Sequence, residues 1–446
     1  MRKSATLATD GLGAPLPDEQ LERVIGPWGL GANAINTAVG GGIFAMPGLV
    51  AAILGPTAIV AYLLCGIAIG LVLTCFTEIG SFVRRSGGPV AYVEEAFGPL
   101  AGFIAWILYS IGFEIGASAA IANVLVDAIA SVVPPLSHGA PRVMALLTLF
   151  GVLAAINILG VREGMRLAIT TTIAKLLPLL LLIIVGLLVM HWDRFRWSGW
   201  PSMQKLGEGS LLIFFAFQGA EEALSPSAEI RDPAHTVPRA MLGAIVSLVI
   251  LYVALQVVGQ GVLGSDLGRF PEAPLAEVAA RIAGAPGRAL LLAGAAISIF
   301  GSLAAGVIAC PRSFFLMSQN GLLPRVLAKV HPGFHTPHWS IAAVVALMFL
   351  LSVTGAFKFL AVLSSASILC VYLAICVGAL RLRYTRPRMP GAFRARGGPI
   401  VALLGSAVVV WLLTYTTRVE FGAVIGTIGV ATAYFLVRRR LSPRAA

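Results

Sequence analysis

The sequence predicts an all-α polytopic membrane protein with twelve transmembrane helices. They form a five-plus-five inverted repeat with helices 1 and 6 broken, plus two extra helices. Three observations predict it. Hydrophobic residues make up 58% of the 446 and charged residues only 12%, with a mean hydropathy of +0.90, whereas soluble domains carry about 25% charged residues. Apolar runs near the ~20 residues that a bilayer requires follow one another along almost the whole chain. Two of those runs, the first and the sixth, are interrupted at a depth where a lipid-facing helix would stay continuous.

The first run covers residues 26–55, GPWGLGANAINTAVGGGIFAMPGLVAAILG, with Gly40, Gly41 and Gly42 at its middle. Three successive glycines weaken a helix by roughly 2–3 kcal/mol relative to alanine. Hydrocarbon offers no water to the freed backbone groups, so such a break is tolerated only where it lines a protein cavity. A membrane helix broken at mid-depth is the pattern of a transporter's substrate site. Close helix packing through small residues is the other use of such glycines.

Residues 1–25 read as a polar, cytoplasmic N-terminal tail without an apolar signal segment. The runs then fall at 27–54, 57–80, 99–130, 143–160, 166–190, 210–228, 239–263, 289–318, 339–355, 357–380, 399–417 and 420–437. The first five make one repeat over 26–190, and the next five a second over 191–380. A basic loop, helices 11 and 12 and a C-terminal tail fill 381–446. In the sixth run, LLIFFAFQGAEEALSPSAEIRDP, the apolar sequence is interrupted by Gln218, Gly219, Glu221 and Glu222. Two carboxylates at that depth cost several kcal/mol unless they face a wet or paired interior. The two breaks stand five helices apart, as an inverted repeat requires. Most of the 32 basic residues fall on loops that share a side with the termini. That bias places both termini in the cytoplasm and the protein in the cell (inner) membrane.

The net charge of +12 is spread over loops without forming a patch, so the lipid bilayer is the expected partner and nucleic acid is not. Cys65, Cys75, Cys310, Cys370 and Cys376 lie in apolar runs and read as small buried hydrophobes. The six histidines fall in loops or at run ends without metal-ligand spacing, so neither metal nor cofactor is expected. The sequence has no HExxH, no GxSxG and no Cys/His cluster, which argues against a membrane-embedded enzyme. No filter-like sequence repeats, which argues against a channel.

Four motifs then occur in order. GGGIFAMPG (40–48) is similar to GSGIF-x-x-PG. SGGPVAYVEEAFGPLAGFIAW (86–106) is similar to S-G-G-x-x-x-Y…AFG-x-x-x-G-F. FFAFQGAEEALSPSAEIRDPAHTVPRA (214–240) is similar to FFAF-x-G-[aromatic]-E…AE-x-x-[KR][ND]P…[IV]PRA. CPRSFFLMSQNGLLPRVLAKV (310–330) is similar to R-x-x-x-x-[ML]-[AS]-x-[DN]G-x-[LF]P. On these the chain resembles the amino acid–polyamine–organocation superfamily of permeases. The resemblance implies a twelve-helix secondary transporter that moves an amino acid or related amine by alternating access, coupled to protons or by exchange. The physics of helix ends agrees. Free N–H groups near Gly40, at Gly41, Gly42 and Ile43, are suited to a substrate carboxylate. Carbonyls around Phe217, Gly219 and Ala220 are suited to its ammonium; a sugar would not exploit two opposed dipole ends. Two positions depart from the family. Gly41 stands where a serine is usual, and Ala220 where a bulky residue is usual.

Several charged and polar residues need a reading of their own. Lys175 lies roughly 14 Å into the fifth run at 1.5 Å per residue. It reads as a proton-coupling or cation-substituting ammonium, a position some proton-coupled relatives fill with lysine, or else as a structural lysine bonded to carbonyls. Glu114, central in the third run, is suited to pair with Lys175, to hold a proton or to bind a cationic substrate side chain. Glu221 matches the family's glutamate after the break and reads as a gating or proton-binding group. Glu222 either adds acidity to the site or packs against a polar cavity wall. Glu78 is expected to pair with Arg84 and Arg85. Asn33 and Asn36 share a helix face and either bond between helices or border the pathway.

Overall fold

The computed structural model describes residues 25–81, 83, 87–159, 164–195, 199–224, 230–355, 357–386, 393–395 and 397–441. Most of the N-terminal tail, together with Arg84, Arg85 and Arg162, lies outside the described residues. The described chain is helical throughout, apart from turns and one isolated bridge between Ile25 and Ile230.

The first apolar run forms two helices, α1 (Pro27–Ala38) and α2 (Gly42–Leu54). Val39 leaves helical geometry with φ −75° and ψ 80°, and Gly40 N donates to Ala38 O at 2.8 Å. α2 stops at Gly55, whose φ of 54° suits only a residue without a Cβ. Then come α3 (Ala58–Gly80) and α4 (Gly88–Phe97), a helix in the segment that the sequence left as a connection. Gly87 and Gly98 flank α4 with φ of 135° and 91°.

The third apolar run is continuous but not uniform. α5 (Pro99–Ile107) passes through a π-helical stretch, Leu108–Ile115, into α6 (Gly116–Ala130). α7 (Gly139–Leu159) and α8 (Gly164–Val189) follow. α9 (Met203–Phe217) starts at the Ser202 cap, whose Oγ accepts from Lys205 N, and ends where Gln218 turns extended and Gly219 takes φ +97°. A 3₁₀ turn at Ala220–Leu224 replaces the helical continuation expected from the sixth run.

α10 (Pro233–Leu263), α11 (Pro274–Gln319), α12 (His338–Thr354), α13 (Phe357–Thr385), α14 (Gly398–Leu413) and α15 (Arg418–Leu441) complete the fold. α11 bends at Ala283 and Gly284, where the dihedral angles leave the helix. α10 packs along α1 and α3, and α11 along α8 and α6. Arg231 N donates to Ile25 O at 2.9 Å, so the entry to α1 is tied to the entry to α10.

Among the described residues, seven helical stretches are long and apolar enough to cross a membrane, with three shorter apolar helices beside them. Their outer faces carry exposed side chains such as Leu188, 82% exposed, and Val430, 73% exposed, which only an apolar solvent accommodates in such numbers. This is an integral membrane protein.

Glu78, at the end of α3, is buried and ion-paired, but its partner is Arg383 of α13. Arg383 Nη1 reaches both carboxylate oxygens at 2.9 Å, and Ala395 N donates to Oε2 at 3.2 Å. The carboxylate thus clamps the chain between α13 and α14 onto α3. Removing one member strands a buried charge, which costs about 3 kcal/mol or more. Arg383→Ala is therefore expected to lower the unfolding temperature in detergent by more than the double change Glu78→Gln with Arg383→Met. Equal losses would show that the pair bears no desolvation penalty.

Candidate substrate site

Two helices end inside the molecule, and their end groups need partners. Ala38 O of α1 and Ala216 O of α9 converge on the hydroxyl of Tyr252 in α10, at 3.2 and 2.8 Å. One hydroxyl proton serves both carbonyls. Lys175, 4% exposed, reaches across from α8 and donates its Nζ to Asn36 O at 2.5 Å. An ammonium thus takes the place of an amide donor missing from the last turn of α1. Gly219 lets the two ends meet: a Cβ there would lie 3.1 Å from Thr37 O, and the φ of +97° is strained for any other residue.

The start of α2 has the opposite polarity. Among the described residues, no carbonyl accepts from the amides of Gly41, Gly42 or Ile43. Three N–H groups at a helix N-terminus form a ready site for an anion.

Beside these ends lies a cavity of about 260 Å³. Its wall includes Gly40, Gly41, Gly42, Gly219, Lys175 and Glu114, six of the residues singled out in the sequence, together with Glu222. Ile43, Phe217, Ala220 and Glu221 are buried but stand behind that wall. The Phe217 ring packs edge-on against Tyr252 at 5.0 Å, and Glu221 folds back so that Oε2 accepts from Gly219 N at 3.1 Å. Glu114 and Lys175 share the cavity but form no ion pair among the described residues; Lys175 donates to the Asn36 carbonyl instead. Asn36 borders the cavity, whereas Asn33 is exposed and its carbonyl accepts from Thr37 Oγ1.

Sequence reasoning missed Phe113, Ile121, Phe215, Ser298 and Ser302, which also line the cavity. A signal for the last two existed. SIFGSLAAG in α11 places small and hydroxyl residues at helical spacing on one face, Ser298 with Ser302 and Gly301 with Ala305.

Gly41 has a packing reason as well. A Cβ there would lie 2.8 Å from Ile299 Cγ1 and 3.0 Å from Ile121 Cβ. The space that a serine side chain would need is taken by two isoleucines from α6 and α11. A Cβ at Gly42 would meet the Phe215 ring at 2.9 Å, whereas Gly40 has ordinary clearance from Ser302 Oγ at 3.6 Å.

An all-helical membrane chain with a buried cavity between two interrupted helices has the architecture of a transporter. The amino acid permease family matches residues 25–437, and the chain belongs to that family. The methylthioribose transporter of Bacillus subtilis is 29% identical, covering 97% of this chain and 96% of the relative. The serine/threonine exchanger SteT of the same organism is 28% identical over 95% of this chain and 99% of its own. An uncharacterized transporter of Mycobacterium tuberculosis is 30% identical over 96% and 94%. Family and relatives are transporters, not enzymes.

Overpacking a tight core site costs about 1–3 kcal/mol. Gly41→Ser is therefore expected to weaken substrate binding about tenfold or more, and Ile299→Ala in the same chain, which removes the γ carbon in the way, to restore part of it. Measurement of substrate affinity for the purified single and double variants checks this. An undiminished single variant would mean that the isoleucines yield freely.

Proposed function

We propose that the chain is a secondary transporter that carries an amino acid or related amine by alternating access and couples this movement to protons through Lys175. The observation that carries this reading is the pairing of opposed helix ends at one cavity. The amides of Gly41 and Gly42, which no carbonyl engages among the described residues, suit a carboxylate, and the acceptor-bearing wall near Gln218 and Gly219 suits an ammonium. A zwitterion answers both ends at once. In this reading α1 with α2 and α9 with the turn after it are the broken first and sixth helices of a twelve-helix, five-plus-five inverted repeat, and both termini face the cytoplasm of a cell (inner) membrane.

Lys175 supports the coupling role. In its charged form it holds the Asn36 carbonyl; on losing its proton it would give up the strong part of that bond and loosen the end of α1. Protonation would thereby bias one conformation of the broken helix over another. Glu221, bonded to the Gly219 amide, is placed to link the turn after α9 to movement of the site.

Exchange without proton coupling is the second reading, favoured by the relative named as a serine/threonine exchanger. The relative named for methylthioribose bears on the expectation that a sugar has no use for two helix ends. That compound therefore belongs in the test.

The test is uptake in proteoliposomes of labelled amino acids, amines and methylthioribose, with and without an inward proton gradient. Gradient-driven accumulation of an amino acid or amine is expected, and Lys175→Ala is expected to abolish the accumulation at least tenfold while sparing counterflow. Accumulation unaffected by Lys175→Ala would make the lysine structural. Counterflow alone in the wild-type chain would establish exchange. Uptake of methylthioribose alone would replace the amino acid reading.

A further inference from the structure

The groups on the cavity wall are unevenly matched. Glu114 and Glu222 both line it. Gln218, 4% exposed, donates Nε2 to Ser365 Oγ at 2.8 Å, and its buried Oε1 has no partner among the described residues. Ser298, 1% exposed on the same wall, has an Oγ without a partner among the described residues. Lys175 lines the same cavity and donates to Asn36 O, a neutral group, so its single positive charge stands against two carboxylates among the described residues. Among the described residues neither Glu114 nor Glu222 has an ion pair. The inventory is thus rich in acceptors: two carboxylates and a buried amide oxygen, against the amides at the start of α2.

The backbone around Glu114 departs from the ordinary helix at this point. Glu114 lies in the π-helical stretch Leu108–Ile115, and such stretches occur disproportionately at functional sites because the wider turn re-aims the side chains that follow. Gly112 lets this stretch press against α13: a Cβ there would lie 2.4 Å from Ser367 Oγ. The two helices are therefore closely apposed beside the carboxylate.

Charge matching decides what fills such a cavity. A buried carboxylate without a cation is costly, and two of them facing one space more so. A neutral amino acid brings one carboxylate and one ammonium, which answers the α2 amides and one acceptor and leaves a further acidic group unmatched. A substrate with two ammonium groups and one carboxylate brings a net charge of +1, which together with Lys175 balances the two carboxylates. At about 260 Å³ the cavity is near the small end of ligand pockets, which span roughly 300–1,000 Å³, so it has room for one such molecule.

We propose that Glu114 and Glu222 form a subsite for a second ammonium, so that the transported molecule is an amino acid whose side chain carries an amine. The proposal rests on the reading of the cavity as an amino acid site. In it the substrate's α-carboxylate lies at the start of α2 and its side-chain amine runs toward the two carboxylates.

Binding of lysine and norleucine to the purified full chain tests it, because the two share a four-carbon side chain and differ by the terminal amine. Lysine is expected to bind at least tenfold more tightly than norleucine. In Glu114→Gln and in Glu222→Gln that preference is expected to fall at least tenfold. This ratio is read within each folded variant, so a general loss of stability does not imitate it. A wild-type chain that binds norleucine as tightly as lysine overturns the subsite and leaves the amino acid site standing. A lysine preference that both variants retain also overturns it. A chain that binds neither of these nor any other amino acid overturns both readings.

Discussion

The structure depends on one constraint: backbone groups freed at two helix breaks must find partners where there is no water. α1 ends at Ala38 and α9 at Phe217, each with carbonyls that the helix no longer satisfies. Tyr252 takes one from each helix with a single hydroxyl, and Lys175 takes Asn36 O. These groups come from α10 and α8, so satisfying the breaks joins four helices around one point. Among the described residues no carbonyl accepts from the amides at the start of α2, and the cavity lies beside Gly41 and Gly42.

Glycine sets how near the surrounding helices come, and this shapes the cavity as much as the polar groups do. Gly41 is closed in by Ile121 and Ile299, and Gly42 by Phe215. Farther out, Gly66 meets Val249 and Gly186 meets Val258 in the same manner. In each case the space a side chain would have used is filled from a neighbouring helix, as expected where packing rather than hydrophobic exclusion holds helices together in a membrane. The departure at Gly41 is therefore not an isolated loss of a hydroxyl; it is coupled to bulk at positions on α6 and α11.

How much of this was legible in the sequence depended on whether the signal was local. The apolar runs, the three glycines and the interruption at Gln218 and Gly219 are adjacent residues, and they marked the fold class and the two breaks. Lys175 and Glu114 stood out because a charge in an apolar run is conspicuous on its own. The partner found for Glu78 was less accessible: Arg383 is far away in sequence, whereas Arg84 and Arg85 are near in sequence and lie outside the described residues. The π-helical stretch around Glu114 has no residue signature in LYSIGFEI, which reads as an ordinary amphipathic helix turn. Ile43, Phe217 and Ala220 stand next to a break and Glu221 follows from the family motif, but neighbours along an irregular chain point in different directions, and these four stand behind the cavity wall.

The sequence alone determined that this chain is a helical membrane protein of the permease class with two interrupted helices, because hydropathy, glycine content and short motifs act over a few residues. Tertiary structure alone decided which groups face one another: Tyr252 between two carbonyls, Lys175 on Asn36, isoleucines where a serine side chain would sit, and two carboxylates at one cavity. Those pairings join segments that are dozens to hundreds of residues apart. They follow from how helices pack and rotate, a property of the assembled bundle that no local stretch encodes.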